Sequence, residues 1–196
     1  MKEVLSMALF FTSDLHFGHK SILTIRPQFS DIDEHDDFLI ERWNKKVKKN
    51  DDVYILGDLS FRTTTPISYY LSRMKGRKHL IVGNHDGYWM RHVKDLSIYF
   101  ESVDYLKIMK FEKKQITLCH YPMLEWPGSR YVESGTSFLI HGHIHSETDS
   151  VITNYIKAHQ PHAFNACVDI NHFEPVSFDE LKENNKNWYG RHEDVE

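Results

Sequence analysis

Six short apolar segments of this chain end in side chains that could bind a metal ion or transfer a proton. The segments lie at residues 8–16, 52–60, 79–86, 114–122, 137–145 and 163–171. Four to six apolar or β-branched residues bounded by glycine, asparagine or aspartate are typical of buried strands. Because ligands bind at the carboxyl ends of strands in open α/β sheets, the polar side chains at these ends are predicted to converge on one site.

The candidate ligands at these ends are all oxygen or imidazole donors. In chain order they are Asp14, His16, Asp58, Asn84, His120, His143 and His145. One divalent ion has too few coordination positions for seven such ligands, whereas two ions that share a carboxylate could use them all. Buried aspartates without a cation would also be strongly destabilised by desolvation. The residue types therefore predict a centre of two divalent metal ions.

The spacing within the motifs predicts where the side chains point. Asp14 and His16 are two residues apart, as are His143 and His145, so alternation along a strand would project each pair to one face. Glycine precedes Asp58, Asn84 and His143, and it would let the backbone turn tightly at each point.

The order of these motifs resembles that of the calcineurin-like metallophosphoesterases, and among them the compact, single-domain members. That family's signature runs D-x-H, G-D, G-N-H-[D/E], a single H and G-H-x-H, which residues 14–16, 57–58, 83–86, 120 and 142–145 match in order. The resemblance implies an α/β fold with four layers, α/β/β/α, in which two mixed sheets are flanked by helices. It assigns one ion to Asp14, His16, Asp58 and His145, and the other to Asp58, Asn84, His120 and His143.

The resemblance also implies an activity, a metal-dependent phosphohydrolase. A phosphodiesterase on a small nucleotide-like substrate is favoured, because the sequence shows no dense arginine cluster to neutralise the extra charge of a monoester. Two cations would lower the pKa of a bridging water, so that a metal-bridging hydroxide attacks phosphorus in line. His85 has no metal in this assignment and is predicted to donate a proton to the leaving group, with Asp86 fixing its tautomer. Manganese is the favoured metal because hard oxygen ligands are well represented, while iron, zinc or nickel would also suit mixed donors.

Two other functions fit parts of the same pattern. One branch of the family is a set of metal-dependent nucleases, and a scaffold subunit with this fold serves as a non-catalytic interaction module. The net charge of −4 argues against a broad nucleic-acid-binding face. His85 and every predicted ligand are present, which argues against a module that has lost its catalytic groups.

Several other side chains are candidates for substrate contact: His19, Arg62 and Arg130. Each is equally explained as an ordinary loop or surface residue. Trp126 and Tyr131 lie in a long loop at residues 121–135, where they could stack on a base or anchor the loop.

A helix is predicted within residues 17–50, a segment that is long compared with the family's usual spacing. Leu39, Trp43 and Val47 recur every four residues, with acidic residues before them and lysines after them, as the helix dipole favours. The segment is expected to cover the site and to shape the substrate pocket.

Two further helices carry start signals. One is predicted to begin with Pro66 in its first turn and Thr65 as its cap. The other follows Ser177, which forms a capping box with Glu180. Strands that alternate with helices in the first half of the chain predict parallel pairing there.

Composition limits the remaining possibilities. The 196 residues, 40% of them hydrophobic, are predicted to form a single domain over residues 1–196. No apolar run approaches the roughly 18 residues that span a bilayer, so no membrane partner is expected. Cys119 and Cys167 are expected to stay reduced, and a cytoplasmic location fits best. The expected partner is a small phosphorylated substrate, and the oligomeric state is left open.

Overall fold

The computed structural model describes residues 7–131 and 135–190, and within them the chain forms eight strands and five α-helices. The strands are β1 (Leu9–Thr12), β2 (Asp52–Ile55), β3 (Arg77–Ile81), β4 (Ser102–Asp104), β5 (Leu106–Phe111), β6 (Lys114–Cys119), β7 (Ser137–His141) and β8 (Ala163–Asn165). The helices are α1 (Ile32–Lys46), α2 (Ile67–Leu71), α3 (Gly87–Met90), α4 (Val151–His159) and α5 (Phe178–Tyr189). All six strands predicted from the apolar segments are confirmed, and β4 and β5 are additional.

Two four-stranded sheets form the centre of the structure. The first has the order β1-β2-β3-β4 with parallel pairing throughout, and Phe11 on β1 adds an antiparallel bridge to Val176. The second has the order β5-β6-β7-β8, in which β5 runs antiparallel to β6 and the other pairs are parallel. The predicted fold, an α/β arrangement of two sheets with flanking helices, is confirmed.

The register of the strands makes their carboxyl ends level. Thr12 at the end of β1 pairs with Ile55 at the end of β2, and Ile55 pairs in turn with Leu80 on β3. An isolated parallel bridge between Ser13 and Cys167 joins this edge to the segment that follows β8 in the second sheet. The polar residues that follow these strands therefore meet at one edge of the two sheets.

Side chains on the first sheet alternate between two apolar cores. Phe10 and Leu80 face outward and pack in the core that includes α1 and α2. Phe11 and Ile81, one residue later on the same strands, face inward and pack against Ile116 of the second sheet. This alternation with a period of two residues is what a sheet covered on both faces requires.

The helix α1 forms an outer layer over the first sheet. Asp31 accepts a hydrogen bond from the backbone N–H of Glu34 and caps the helix, and Leu39, Trp43 and Val47 are buried as predicted. The indole N–H of Trp43 donates to the backbone oxygen of Lys75 at 2.8 Å, which fixes the helix against the outer face of the sheet. Within the 17–50 segment, which was expected to cover the site, α1 packs its apolar face in the outer core.

Of the two other predicted helix starts, one is confirmed and one is wrong. Ser177 and Glu180 form the predicted capping box at the start of α5. Pro66 is itself the N-cap of α2 and Thr65 makes no capping hydrogen bond there, so the predicted cap was one residue too early. Among the described residues, none of the helices combines the length and the apolar composition needed to cross a membrane.

Candidate metal centre

The candidate ligands lie just beyond the strands, in an unusual backbone conformation. Five of them have a left-handed backbone, with φ between 49° and 73°: Asp14, His16, Asp58, His143 and His145. The prediction that strand alternation projects these side chains is therefore wrong, since tight left-handed turns direct them. Each such residue costs roughly 1–2 kcal/mol, and strain of this kind collects at functional sites.

Glycines allow the turns to pack against one another. Gly57 has a φ of 85°, and a Cβ there would lie 2.4 Å from Nδ1 of His120. A Cβ on Gly83 would lie 2.4 Å from Oδ1 of Asp58 and 2.6 Å from the backbone nitrogen of that residue. Both positions exclude a side chain because the strand ends approach one another too closely.

Gly83→Ala is expected to lower the free energy of unfolding by about 2 kcal/mol, because the added methyl group must displace buried backbone. The displaced Asp58 should also weaken metal binding. Gly87→Ala is the matched control, since a Cβ there would meet no atom within 4 Å. Urea unfolding and metal titration would compare the two variants, and equal stability would contradict the close packing.

The first group of ligands lies between the ends of β1 and β7. Asp14, His16 and His145 each offer an atom within 4.8 Å of the others. Nε2 of His145 lies 3.9 Å from Oδ1 of Asp14, and Nε2 of His16 lies 3.7 Å from Oδ2 of Asp58. Four of the predicted ligands thus surround one position.

The second group shares Asp58 with the first. Nε2 of His120 lies 3.5 Å from Oδ2 of Asp58 and 2.9 Å from Oδ1 of Asn84. The ring of His143 lies beside His120, with 5.1 Å between the centroids. Asp14 also joins Asp58 and His120 within 4.8 Å. All seven predicted ligands therefore lie in one cluster, with Asp58 between its two halves.

The charges in this cluster fit a metal ion. Asp14 and Asp58 are buried, and burial together with the neighbouring Asp14 raises the pKa of Asp58 to about 7. Burial and the neighbouring His145 lower the pKa of His16 well below its usual range, which keeps the ring neutral. Nε2 of His16 is buried with no hydrogen-bond partner among the described residues. A divalent cation would neutralise the carboxylates and accept the imidazole lone pair.

The tautomer of His120 points to the same conclusion. Nδ1 lies 2.8 Å from the backbone oxygen of Leu56, and Nε2 lies 2.9 Å from Oδ1 of Asn84. A neutral imidazole has one N–H, so when Nδ1 donates to Leu56, Nε2 and the Asn84 oxygen turn lone pairs toward each other. Two ligands of a shared cation take this arrangement.

His145 is held by a carboxylate that the sequence analysis did not include. Its Nδ1 lies 3.0 Å from Oδ2 of Asp169, which leaves Nε2 directed toward Asp14. Burial lowers the pKa of His145, but the hydrogen bond to Asp169 and the charge of Asp14 outweigh it, so the pKa is raised. Metal-binding histidines are commonly oriented by a carboxylate in this way.

Arg26 supports this carboxylate from the segment before α1. It is completely buried, and its guanidinium donates to both oxygens of Asp169 at 2.7 and 3.0 Å. The same group donates to the backbone oxygens of Asp14, at 2.7 Å, and Leu15, at 3.2 Å. Despite burial, the hydrogen bond from His145 and the charge and hydrogen bonds of Arg26 hold the pKa of Asp169 well below its usual range. Arg26, within the 17–50 segment, thus stabilises the positions of Asp169 and of the Asp14 backbone.

Asp169→Asn is expected to weaken metal binding about tenfold, because the amide orients His145 less firmly. It should also lower the free energy of unfolding by roughly 3 kcal/mol, since Arg26 loses its buried partner. Asp52→Asn is the control, because Asp52 likewise pairs with an arginine and a histidine, Arg77 and His79, but at the other end of β2. Calorimetric metal titration would compare them, and equal affinities in the two variants would contradict the orienting role.

The two residues predicted to act in catalysis have different surroundings. His85 is partly exposed, with 30% of its side chain accessible, and its Nε2 lies 3.8 Å from Oδ2 of Asp58. Asp86 is buried and accepts hydrogen bonds from the backbone N–H groups of Asp58, Leu59 and Gly83, and a fourth from the indole of Trp89. The prediction that Asp86 fixes the His85 tautomer is wrong, because its oxygens are taken up by these four donors. Asp86 instead joins the loop after β2, which carries Asp58, to the loop after β3, which carries His85.

His19 and Arg62 lie at the rim of the site. Nδ1 of His19 is 3.2 Å from Nδ1 of His16, and its ring meets that of Phe61 edge-on. Arg62 stacks over the same Phe61, with 4.9 Å from its guanidinium carbon to the ring centroid. Burial, together with the neighbouring His85 and Arg62, lowers the pKa of His19. His19 therefore contacts a predicted ligand directly, whereas Arg62 lies one ring further out, against Phe61.

Arg130 lies elsewhere. It is exposed and pairs with Glu125 of the same loop at 2.8 Å. Trp126 is buried with Leu139 and Ile144, so it anchors the loop and offers no free face to a base. Tyr131 is exposed at the end of the described part of this loop, and residues 132–134 of the predicted 121–135 loop lie outside the described residues.

Comparison with known proteins agrees with this arrangement. A model of the calcineurin-like phosphoesterase superfamily domain matches residues 7–162, and the chain belongs to that superfamily. The gene 66 protein of Mycobacterium phage L5 is 32% identical over 186 residues, which cover 78% of this chain and 83% of the phage protein. The corresponding protein of Mycobacterium phage D29 is 31% identical over 201 residues, covering 89% and 94%.

A solved structure supports the fold over nearly the whole chain. A protein of unknown function from Aquifex aeolicus superposes with a TM-score of 0.65 and 28% identity, covering 89% of this chain and 97% of that one. The family predicted from the motif order is confirmed, and with it the class of enzyme. The protein is a metal-dependent phosphoester hydrolase.

Proposed function

We propose that this enzyme is a binuclear phosphodiesterase that acts on a small, nucleotide-like substrate. The position of Asp58 is the main support. Its Oδ2 lies 3.7 Å from Nε2 of His16 and 3.5 Å from Nε2 of His120, so one carboxylate faces both groups of ligands. A shared carboxylate between two such groups suits a pair of divalent ions.

The residues divide the work of the reaction. Asp14, His16, Asp58 and His145 would hold one ion, and Asp58, Asn84, His120 and His143 the other. Bound divalent ions, for which manganese suits the mixed donors, would supply charge to the phosphoryl oxygens and acidify a water between them. His85 lies at the open side of the cluster, where its ring packs on Phe61 at 4.0 Å between centroids. Burial lowers its pKa, and an arriving phosphate anion would favour the protonated ring that donates to the leaving group.

The supply of positive charge favours a diester over a monoester. Arg26 is committed to Asp169 and to backbone oxygens, and Arg130 pairs with Glu125 away from the site. Of these three arginines, Arg62 alone lies at the rim of the site, against Phe61. A monoester dianion carries one charge more than a diester and would gain more from a cluster of arginines.

The test compares two substrates that share a leaving group. We expect kcat/KM for bis-(4-nitrophenyl) phosphate to exceed that for 4-nitrophenyl phosphate at the same pH and manganese concentration. The rates of hydrolysis of cyclic and linear nucleotides would then show which class of diester is the better substrate. A clear preference for the monoester would overturn the diesterase assignment.

The proposal includes a cytoplasmic location and a small substrate. The free thiols of Cys119 and Cys167 suit a reducing, cytoplasmic setting. The net charge of −4 favours a small substrate over a nucleic acid, because polymers of phosphate need a basic surface.

A further inference from the structure

A cleft of about 600 Å³ is lined by residues that follow the Asp58 and His85 loops in the sequence. One wall is the segment 63–68, which leads into the first turn of α2, and the other is formed by residues of the segment 88–99, which begins within α3. The volume lies within the range of about 300–1,000 Å³ that is typical of pockets for small molecules. The cleft is therefore large enough to hold part of a substrate.

One aromatic ring separates this cleft from the proposed proton donor. The ring of Phe61 lies 4.0 Å from that of His85 and 6.2 Å, edge-on, from that of Tyr88 in the cleft wall. The backbone N–H of Tyr88 donates to the backbone oxygen of His85 at 3.3 Å. A molecule whose phosphate lay at the cluster could therefore extend past Phe61 into the cleft.

The walls of the cleft combine flat aromatic surfaces with hydroxyl groups. Tyr88 is 41% exposed, and its ring lies 5.8 Å from that of His92. Trp89 beneath them is buried and fixed by its bond to Asp86, which ties this wall to the loops of the metal centre. The hydroxyl-bearing Thr64 and Ser68 lie in the opposite wall. Flat aromatic faces attract nucleobases, and hydroxyls can pair with base edges or a sugar.

We propose that this cleft binds the nucleoside arm of the diester, with the base stacked against Tyr88 and the phosphate at the metal centre. The inference rests on the proposed function and adds the part of the enzyme that selects the substrate. The cleft thus takes the base-stacking role that the sequence suggested for Trp126 of the 121–135 loop, which is buried. A purely aliphatic arm would use neither the aromatic faces nor the hydroxyls of the cleft.

The experiment compares two diesters with the same leaving group, thymidine 5′-(4-nitrophenyl phosphate) and methyl 4-nitrophenyl phosphate. Tyr88→Ala, which removes the stacking face, and Ser68→Trp, which fills the cleft, are each expected to lower kcat/KM for the thymidine ester about tenfold, chiefly through KM. Both should change kcat/KM for the methyl ester by less than about twofold, because that substrate does not reach the cleft. Tyr69→Ala is the control, since Tyr69 is also exposed but packs beside Arg73 outside the cleft, and it should affect neither ester.

Equal losses on the two esters, or no loss on the thymidine ester, would overturn the assignment of the cleft. Binding of thymidine 5′-monophosphate to the manganese-loaded enzyme, measured by calorimetry, separates this inference from the proposed function. If the unmodified enzyme hydrolyses neither diester, the proposed function fails. In that case, a roughly tenfold weaker binding of the nucleotide by Tyr88→Ala would still support the cleft as a nucleoside site. Unchanged binding would contradict it.

Discussion

Asp58→Asn is expected to lower kcat/KM by roughly a thousandfold, a loss of about 4 kcal/mol of transition-state stabilisation, and to reduce metal content at both positions. The carboxylate faces His16 and His120 at 3.7 and 3.5 Å, so its charge would serve both ions. Asparagine keeps the size of the side chain and an oxygen that can accept the backbone N–H of His85, as Oδ1 of Asp58 does at 2.9 Å. The variant therefore removes the charge with little change in packing.

Elemental analysis of manganese-reconstituted protein, together with the kinetics, would measure this effect. Asp51→Asn is a suitable control, because Asp51 is also buried and accepts backbone N–H groups from Ala8 and Lys48, but lies outside the metal centre. That variant should retain its metal. A variant at Asp58 that kept one tight ion and lost only the other would show that the carboxylate does not bridge.

His85→Ala is expected to lower kcat by about 10² to 10⁴ for substrates with poor leaving groups and to leave the metal content intact. His85 lies on the open side of the cluster, with 30% of its side chain exposed. Esters of 4-nitrophenol need less protonation of the leaving group than esters of phenol, so they should lose less activity.

The leaving-group series decides between two roles for His85. Its Nε2 lies 3.8 Å from Oδ2 of Asp58, close enough that a role in metal binding must be tested. Loss of metal from His85→Ala, or equal losses for phenyl and 4-nitrophenyl esters, would rule out its role as the proton donor. His159→Ala, on α4 beside Tyr155, is a control that should change neither metal content nor rate.

The order of the motifs was sufficient to predict which residues meet, because parallel strands with level ends bring their carboxyl ends to one edge. Asp14, Asp58 and Asn84 follow β1, β2 and β3 along a single register. The backbone conformation at the ligands could not be predicted from the sequence. A spacing of two residues suggested strand alternation, whereas Asp14 and His16 lie in left-handed turns with φ of 57° and 53°. Nothing in a two-residue spacing separates these cases.

The support beneath the ligands was only partly visible in the sequence. Asp169 lies in the polar end of the sixth apolar segment, beyond β8, and could have been included by the same rule that selected the other strand ends. Arg26 reaches it across 143 residues of sequence, from a segment without periodicity or motif. A lone arginine in a loop resembles a surface residue until the fold buries it.

The cleft beside Phe61 could not be predicted from any one motif. Its walls come from two segments, 63–68 and 88–99, that are separated in the sequence and brought together by the fold. The sequence instead drew attention to Trp126, because an aromatic residue in a long loop is a common feature of binding sites. Trp126 packs in an apolar cluster with Leu139, so its burial removes it from that role.

Anomalous diffraction from crystals of the manganese-loaded protein would test the binuclear centre most directly. We expect two peaks about 3.5–4 Å apart, with the Asp58 carboxylate in contact with both. One peak should lie beside Asp14, His16 and His145, and the other beside Asn84, His120 and His143. A single fully occupied peak, or two peaks that do not share Asp58, would contradict the account.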